Sequence, residues 1–156
     1  MRKIIVFAIL FLICPFTTIS SNSIIDNKDD FSIEIEESAM LRHSNFKISQ
    51  DCIILEVWLS PDEPKYYSKV VSKADRKAIT DLLDKIEFDS LRKGYYNHSI
   101  DDMLEYTFKF KYKNVDREIH IYDMKVKPIF DLVAKINTLL PLEFRINYDD
   151  SYFSRK

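Results

Sequence analysis

The segment MLEYTFKFKYKNVDREIHIYD, residues 103–123, alternates apolar and polar side chains along most of its length. Every second residue from Leu104 to Tyr112 is apolar or aromatic, and the residues between them are polar. A period of two is that of a strand with one buried face and one solvated face. The sequence KNVD then leads into a second alternating run, residues 117–123. The segment therefore predicts a β-hairpin.

Further strands are predicted on both sides of this hairpin. Pro61 and Pro64 preset φ and interrupt strand pairing, so SPDEPK (60–65) predicts a turn between two strands that pair as a second hairpin. In the first of these two strands Ile54 and Trp58 lie on the opposite side from the main apolar row. This pattern favours a central strand that is partly covered on both faces. The predicted strands are FSIEIE (31–36), NFKIS (45–49), CIILEVWL (52–59), YYSKVVS (66–72) and, as a possible last edge strand, LEFRINY (142–148).

Two segments have the period of an amphipathic helix. Ser72 with Asp75 three residues later resembles a capping box with Asp in place of Glu, and predicts the start of the first helix. Pro128 stands near the start of the second helix, where a proline is tolerated, and Pro141 ends it. The predicted buried stripes are Ala78, Ile79, Leu82, Leu83 and Ile86 in the first helix, and Ile129, Val133, Ile136 and Leu140 in the second.

The order of these elements predicts an α+β fold. Hairpins dominate, so we expect a mainly antiparallel sheet of about five to six strands. Both helices are expected on one face of the sheet, which gives a two-layer sandwich. We assign residues 31–150 to this single domain, with flexible segments at 21–30 and 151–156.

The first 20 residues have the pattern of a secretory signal peptide. Arg2 and Lys3 precede an unbroken apolar run from Ile4 to Ile13, which is shorter than the roughly 20 residues of a membrane-spanning helix. A lipid anchor on Cys14 is disfavoured, because the residue before an acylated cysteine is normally small. The sequence thus predicts an exported protein of the bacterial periplasm or cell surface, without a stable membrane span.

Composition excludes several classes of function. Removing residues 1–20 takes away two basic residues and no acidic one, which changes the net charge from −2 to −4 and gives no reason to expect nucleic acid as a partner. Gly94 is the only glycine, so neither a Walker loop nor a dinucleotide-binding fingerprint can be written.

The mature chain would keep one cysteine, Cys52, which leads into an apolar run and is expected to be buried. Its alternative role is an intermolecular disulfide. No cofactor is predicted.

The segment YYNHSIDD, residues 95–102, gathers polar and aromatic residues between the first helix and the long hairpin. Neighbours in sequence seldom form a catalytic triad, so we interpret it as an exposed connecting loop and predict no catalytic residue. Exposed tyrosines commonly anchor protein interfaces, which makes this loop the predicted partner-binding surface. The residues of that prediction are Tyr95, Tyr96, His98, Asp101 and Asp102.

No metal site is predicted, because the three histidines are scattered over different elements. His120 alternates with Ile119 and Ile121, so it is expected on the solvated face of its strand. There we expect it to neighbour Lys109 or Thr107 across the strands rather than to act as a general base.

The plan of the chain, from CIILEVWLSPDEPKYY through FKFKYKNVDREIHIYDMKVKPIFDLVAKINTLLP, resembles small exported proteins of unknown function from Bacteroidota. That resemblance implies a bacterial envelope location and supplies no catalytic residues. Together with the small size and high aromatic content, it leads to the hypothesis of a non-enzymatic module that binds another protein, as inhibitors and immunity proteins do. The alternatives are a small-molecule or glycan carrier with a pocket between helices and sheet, and an exported hydrolase with an unrecognised site.

Overall fold

The computed structural model describes residues 30–59, 62–97 and 104–148, and these form one seven-stranded sheet with two helices. The strand order is β4-β3-β2-β1-β6-β7-β5. All neighbours are antiparallel except β5 and β7, which are parallel. The predicted α+β fold is confirmed, with slightly more strands than expected. The elements are β1 (Phe31–Ala39), β2 (Arg42–Ser49), β3 (Cys52–Leu59), β4 (Lys65–Val70), α1 (Lys73–Leu83), β5 (Gly94–Tyr96), β6 (Glu105–Tyr112), β7 (Val115–Tyr122) and α2 (Lys127–Asn137).

The predicted hairpin of residues 103–123 forms as β6 and β7, and β6 lies near the middle of the sheet. Phe108 and Phe110 are fully buried and stand opposite Ile35 and Ile33 of β1. Burying each of these aromatic side chains stabilises the fold by about 2–3 kcal/mol. The alternation seen in the sequence is therefore the alternation between the covered and the open face of the sheet.

Both helices pack on the same face. Ser72 caps α1 as predicted: its Oγ accepts a hydrogen bond from the backbone N–H of Asp75 at 3.1 Å. The carboxylate of Asp75 also accepts from Lys135 Nζ at 3.0 Å, which ties α1 to α2. Hydrogen bonds from Ser72 and Lys135 lower the pKa of Asp75. Ile79 and Leu83 of α1, and Ile129, Val133 and Ile136 of α2, are buried in the core.

The prediction that residues 142–148 form an edge strand is wrong. A short 3-10 helix spans Leu142–Phe144, and the chain then lies extended over the core without joining the sheet. The side chain of Asn137 donates to the Ile146 carbonyl and accepts from the Ile146 N–H, both at 2.9 Å. Ile146 and Tyr148 are buried, as the alternation predicts. The hydrogen bonds that a neighbouring strand would have given the Ile146 backbone come instead from the Asn137 side chain.

The interpretation of residues 95–102 as a loop is also partly wrong. Tyr95 and Tyr96 belong to β5, which pairs in parallel with β7 at one edge of the sheet. His98, Asp101 and Asp102 lie outside the described residues. Three residues are too few to show the alternation that marks a strand in the sequence, which explains the error.

The sheet has one covered face and one open face. The covered face carries the core and both helices. The open face, formed by the alternate residues of each strand, has no layer packed on it among the elements that the structure describes. Within the same described residues, neither helix is long and apolar enough to cross a membrane.

Candidate functional site

The open face carries large exposed side chains at one side, which we call the aromatic edge. It consists of Ile54 and Trp58 on β3 and of Tyr66 and Val70 on β4, the outermost strand. The exposed fractions are 48% for Trp58 and 68% for Tyr66. The sequence predicts that β3 is partly covered on both faces; among the described residues no element packs over Ile54 and Trp58, which are 38% and 48% exposed beside their neighbours in the sheet. Contiguous exposed aromatic residues of this kind mark sites of interaction.

A single carboxylate fixes the two aromatic side chains of this edge. Glu56 Oε1 accepts a hydrogen bond from Trp58 Nε1 at 3.0 Å and another from the Tyr66 hydroxyl at 3.1 Å. The bond to Glu56 raises the pKa of Tyr66 above its ordinary value, so the phenol stays neutral and keeps donating. Because the rings are already held in place, a partner that contacts them would lose less side-chain entropy on binding.

A hollow of about 320 Å³ adjoins the aromatic edge at the end of the β1–β2 hairpin. Trp58 forms one wall, and the exposed side chains of Met40 and Leu41, in the turn between the two strands, form another. The remaining lining residues are Ala39, Arg42, His43 and Asp62. Since Trp58 belongs to both features, the hollow extends the aromatic edge into one larger apolar surface.

The centre of the open face is charged, and opposite signs alternate from strand to strand. Lys47 of β2 stands opposite Glu34 of β1, which stands opposite Lys109 of β6. Lys109 Nζ donates to Glu36 Oε1 at 2.8 Å, and this bond raises the pKa of Lys109. Opposite charges across strands stabilise a solvated face, so the ladder accounts for these residues without a bound ligand.

His120 lies on this face between a hydroxyl and a carboxylate. Its Nδ1 is 3.1 Å from Thr107 Oγ1, and its Nε2 is 3.0 Å from Glu118 Oε1. Of the two predicted cross-strand neighbours, Lys109 and Thr107, it is Thr107 that stands opposite His120. A histidine that donates to Glu118 through Nε2 can accept the Thr107 hydroxyl proton at Nδ1, and this is the first requirement of nucleophilic catalysis.

The second requirement, donors for an oxyanion, is not met by the described residues around His120. Thr107 lies in β6 between β1 and β7, so the backbone N–H groups of this strand are used by the sheet. The arrangement therefore orients His120 on the open face of the sheet. It does not build a cleft around a reacting group.

The two predicted partner-binding residues that the structure describes face opposite sides of the sheet. Tyr95 is half-buried and its hydroxyl accepts a hydrogen bond from the Arg92 N–H at 3.1 Å. Tyr96 is half-exposed on the open face and its ring stacks on Tyr122 with centroids 4.6 Å apart. Only Tyr96 is therefore presented to a partner, at the side of the open face opposite the aromatic edge. His98, Asp101 and Asp102 cannot be placed beside it, since they are outside the described part of the chain.

A buried carboxylate lies under the covered face. Glu37 is 0% exposed; its Oε2 is 3.3 Å from Arg42 Nε and its Oε1 accepts from Asn147 Nδ2 at 2.7 Å. Burial raises the pKa of Glu37 despite the nearby Arg42 guanidinium. Arg42 also donates to the Arg145 carbonyl at 2.7 Å, so the cluster joins the β1–β2 hairpin to the C-terminal segment. These contacts serve the fold and leave the carboxylate closed to solvent.

The described residues contain no group of three or more His, Cys, Asp or Glu side chains placed to hold a metal ion. Reasoning from sequence missed the aromatic edge as a site. The sequence shows that both rows of β3 are largely apolar, with Ile54 and Trp58 in the second row, but this pattern is equally that of a strand covered on both faces. Comparisons of the chain with protein-family models, with curated proteins and with solved structures give no match.

Proposed function

We propose that this protein is an exported module that binds another protein, and that its binding surface is the aromatic edge of the open face. The observation that carries the proposal is the pair Trp58 and Tyr66, exposed on the open face of the sheet and fixed by Glu56. Tryptophan and tyrosine are the residues most enriched among those that dominate protein–protein binding energy. The location in the bacterial envelope follows from the N-terminal pattern alone and is part of the proposal.

The shape of the surface supports a protein partner over a small molecule. Ligand pockets usually bury most of a small ligand, whereas the aromatic edge lies on an open sheet next to a shallow hollow. The space between helices and sheet, where a carrier would hold its cargo, is filled by packed aromatic and aliphatic side chains such as Phe108, Tyr148 and Phe130. An apolar centre rich in aromatic residues with a polar surround is the usual composition of a protein interface.

The proposal is tested by comparing two sides of the same face. Protein purified from the periplasm of an expression host would be immobilised and exposed to envelope extract of the source bacterium, and captured proteins identified by mass spectrometry. We expect Trp58→Ala/Tyr66→Ala to lose a captured protein that Tyr96→Ala retains. Purified partner and isothermal titration should then show at least a tenfold loss in affinity for the double variant, since truncation at such centres costs about 2 kcal/mol or more.

Two outcomes would contradict the proposal. Retention of every captured protein by Trp58→Ala/Tyr66→Ala, with loss by Tyr96→Ala, would move the surface to the Tyr96 side, where the sequence first suggested it. Capture of nothing at saturating amounts of protein would leave no protein-binding function. Circular dichroism of each variant controls for loss of the fold.

A further inference from the structure

The backbone of β4 has hydrogen-bonding groups on its outer side. The N–H of Val71 donates to the Asp51 carbonyl at 2.9 Å, which continues the register in which Cys52 stands opposite Val70. In an antiparallel pair, hydrogen-bonded and non-hydrogen-bonded residues alternate. The backbone groups of Lys65, Tyr67, Lys69 and Val71 therefore hydrogen-bond to β3, and those of the three residues between them point away from the sheet. Those residues are Tyr66, Ser68 and Val70.

This edge is also exposed at its side chains. Tyr66, Ser68 and Val70 are all exposed, and within the described residues no strand or backbone group pairs with the outer side of β4. An edge strand with free backbone groups can pair with another strand. The strand at the opposite edge of the sheet, β5, is only three residues long, so it offers fewer backbone groups for pairing with another strand.

We propose that the strand that pairs with β4 is β4 of a second copy, related by a two-fold axis through Ser68. In this antiparallel register Ser68 stands opposite Ser68 of the other copy, and Tyr66 stands opposite Val70. All three outward-facing residues then meet one another, which gives three hydrogen-bonded pairs with two bonds each, or about six bonds. An aromatic residue opposite a β-branched residue, and two hydroxyl residues opposite each other, are favourable cross-strand pairs.

Charge selects this register over its neighbours. Shifting the pairing by two residues in one direction places Lys65 opposite Lys69 of the other copy, and shifting it in the other direction places Lys69 opposite Lys69. Like charges directly opposite each other destabilise a strand pair. In the register centred on Ser68, Lys69 instead stands opposite Tyr67. Lys69 is also held within its own chain, since its Nζ donates to the Leu139 carbonyl at 3.3 Å.

The two-fold pairing extends the open face across both copies. The axis is perpendicular to the sheet, so the open faces lie on the same side of one continuous fourteen-stranded sheet, twice the seven strands of one copy. The aromatic edges of the two copies meet at the axis, with Tyr66 of each beside Val70 of the other. This pairing does not depend on the proposed partner protein, although it would double the surface offered to one.

Sedimentation velocity tests the pairing. A strand pair of this length buries less than a standard interface, so we expect reversible dimers with Kd of about 10–100 µM. The wild type should shift from monomer to dimer as its concentration rises through this range.

Ser68→Pro should remain monomeric and folded, because it removes an outward N–H and no bond to β3. Ser68→Lys should also remain monomeric, because it places two ammonium groups on the axis, whereas Ser38→Lys, on the open face of central strand β1, should dimerise as the wild type does.

A cysteine at the axis supplies the direct readout. In a Cys52→Ser background, Ser68→Cys should form a disulfide-linked dimer under mild oxidation, and peptide mass mapping should find residue 68 joined to residue 68. A wild type that stays monomeric at all concentrations, or dimers that Ser68→Pro and Ser68→Lys leave intact, would overturn the inference. Capture of a partner by a monomeric wild type would refute the dimer and leave the proposed function standing.

Discussion

Gly94 is the one glycine of the chain, and the ring of Tyr96 explains its place in β5. A β-carbon at position 94 would lie 2.7 Å from Tyr96 Cζ and closer still to two other atoms of that side chain. The described positions with positive φ are held instead by Lys113 and Asp123. Gly94 is thus used for close approach of a side chain, and its freedom to adopt positive φ is not needed.

Replacing Gly94 should therefore act through Tyr96. We expect Gly94→Ala to lower the free energy of unfolding by about 0.5–1.5 kcal/mol, because the exposed Tyr96 ring can move away from residue 94 but loses its stack on Tyr122. In a Tyr96→Ala background the same change should cost nothing or stabilise, since alanine loses less backbone entropy in a strand. Urea unfolding of the wild type, the two single variants and the double variant gives the coupling energy between positions 94 and 96. Equal effects in both backgrounds would show that the Tyr96 ring does not occupy this space.

The buried Glu37 gives the molecule a defined dependence on pH. Its pKa is raised by burial, so the folded state holds this proton more tightly than the unfolded state, whose ordinary value is near 4.5. The contribution to stability is full below that ordinary value and is lost as the pH rises through the raised value. We expect the difference in unfolding free energy between wild type and Glu37→Gln to move against the wild type as the pH rises above about 4.5. Urea titrations from acid to neutral pH measure this difference, and a difference independent of pH would refute the assignment.

At the scale of elements, one side chain supplies the backbone hydrogen bonds of Ile146 in the segment after α2. Asn137 is buried and makes both hydrogen bonds of the Ile146 backbone. We expect Asn137→Ala to destabilise the fold by about 2–4 kcal/mol, because it leaves a buried N–H and a buried carbonyl without partners. Thr138→Ala is the matched control, since the Thr138 hydroxyl is exposed and donates to the Lys135 carbonyl in the last turn of the same helix. Equal losses in the two variants, measured by urea unfolding, would contradict the role given to Asn137.

Elements with a long, regular pattern were predictable from the sequence, and those completed by distant residues were not. The β6–β7 hairpin and both helices are marked by eight or more residues of regular spacing, and α1 is marked also by the local cap at Ser72. Residues 142–148 alternate as a strand does, but the partner that decides their structure is Asn137, a side chain of α2. The aromatic edge was missed for the same reason: nothing local shows that no layer covers Trp58.

At the scale of the whole molecule, the sheet consists of two parts that meet at one strand pair. The meander β1–β4 joins the part formed by β5, β6 and β7 only through the pairing of β1 with β6. The core continues across this seam, because Ile33 and Ile35 of β1 stand opposite Phe110 and Phe108 of β6, and all four are buried. Neither part can expose its side of the seam without exposing the core of the other.

We therefore expect the molecule to unfold in a single cooperative transition. Trp58, the one tryptophan of the chain, reports on the meander by fluorescence, and circular dichroism at 222 nm reports chiefly on α1 and α2. The two signals should give the same midpoint in urea, which is the test of two-state unfolding. Phe108→Ala, at the seam, should lower both midpoints together and cost about 3–5 kcal/mol. Trp58→Phe, on the open face, should leave the midpoint seen by circular dichroism nearly unchanged. A fluorescence transition that precedes the loss of helix would show instead that the meander unfolds by itself, and that the seam between Ile35 and Phe108 does not couple the two parts.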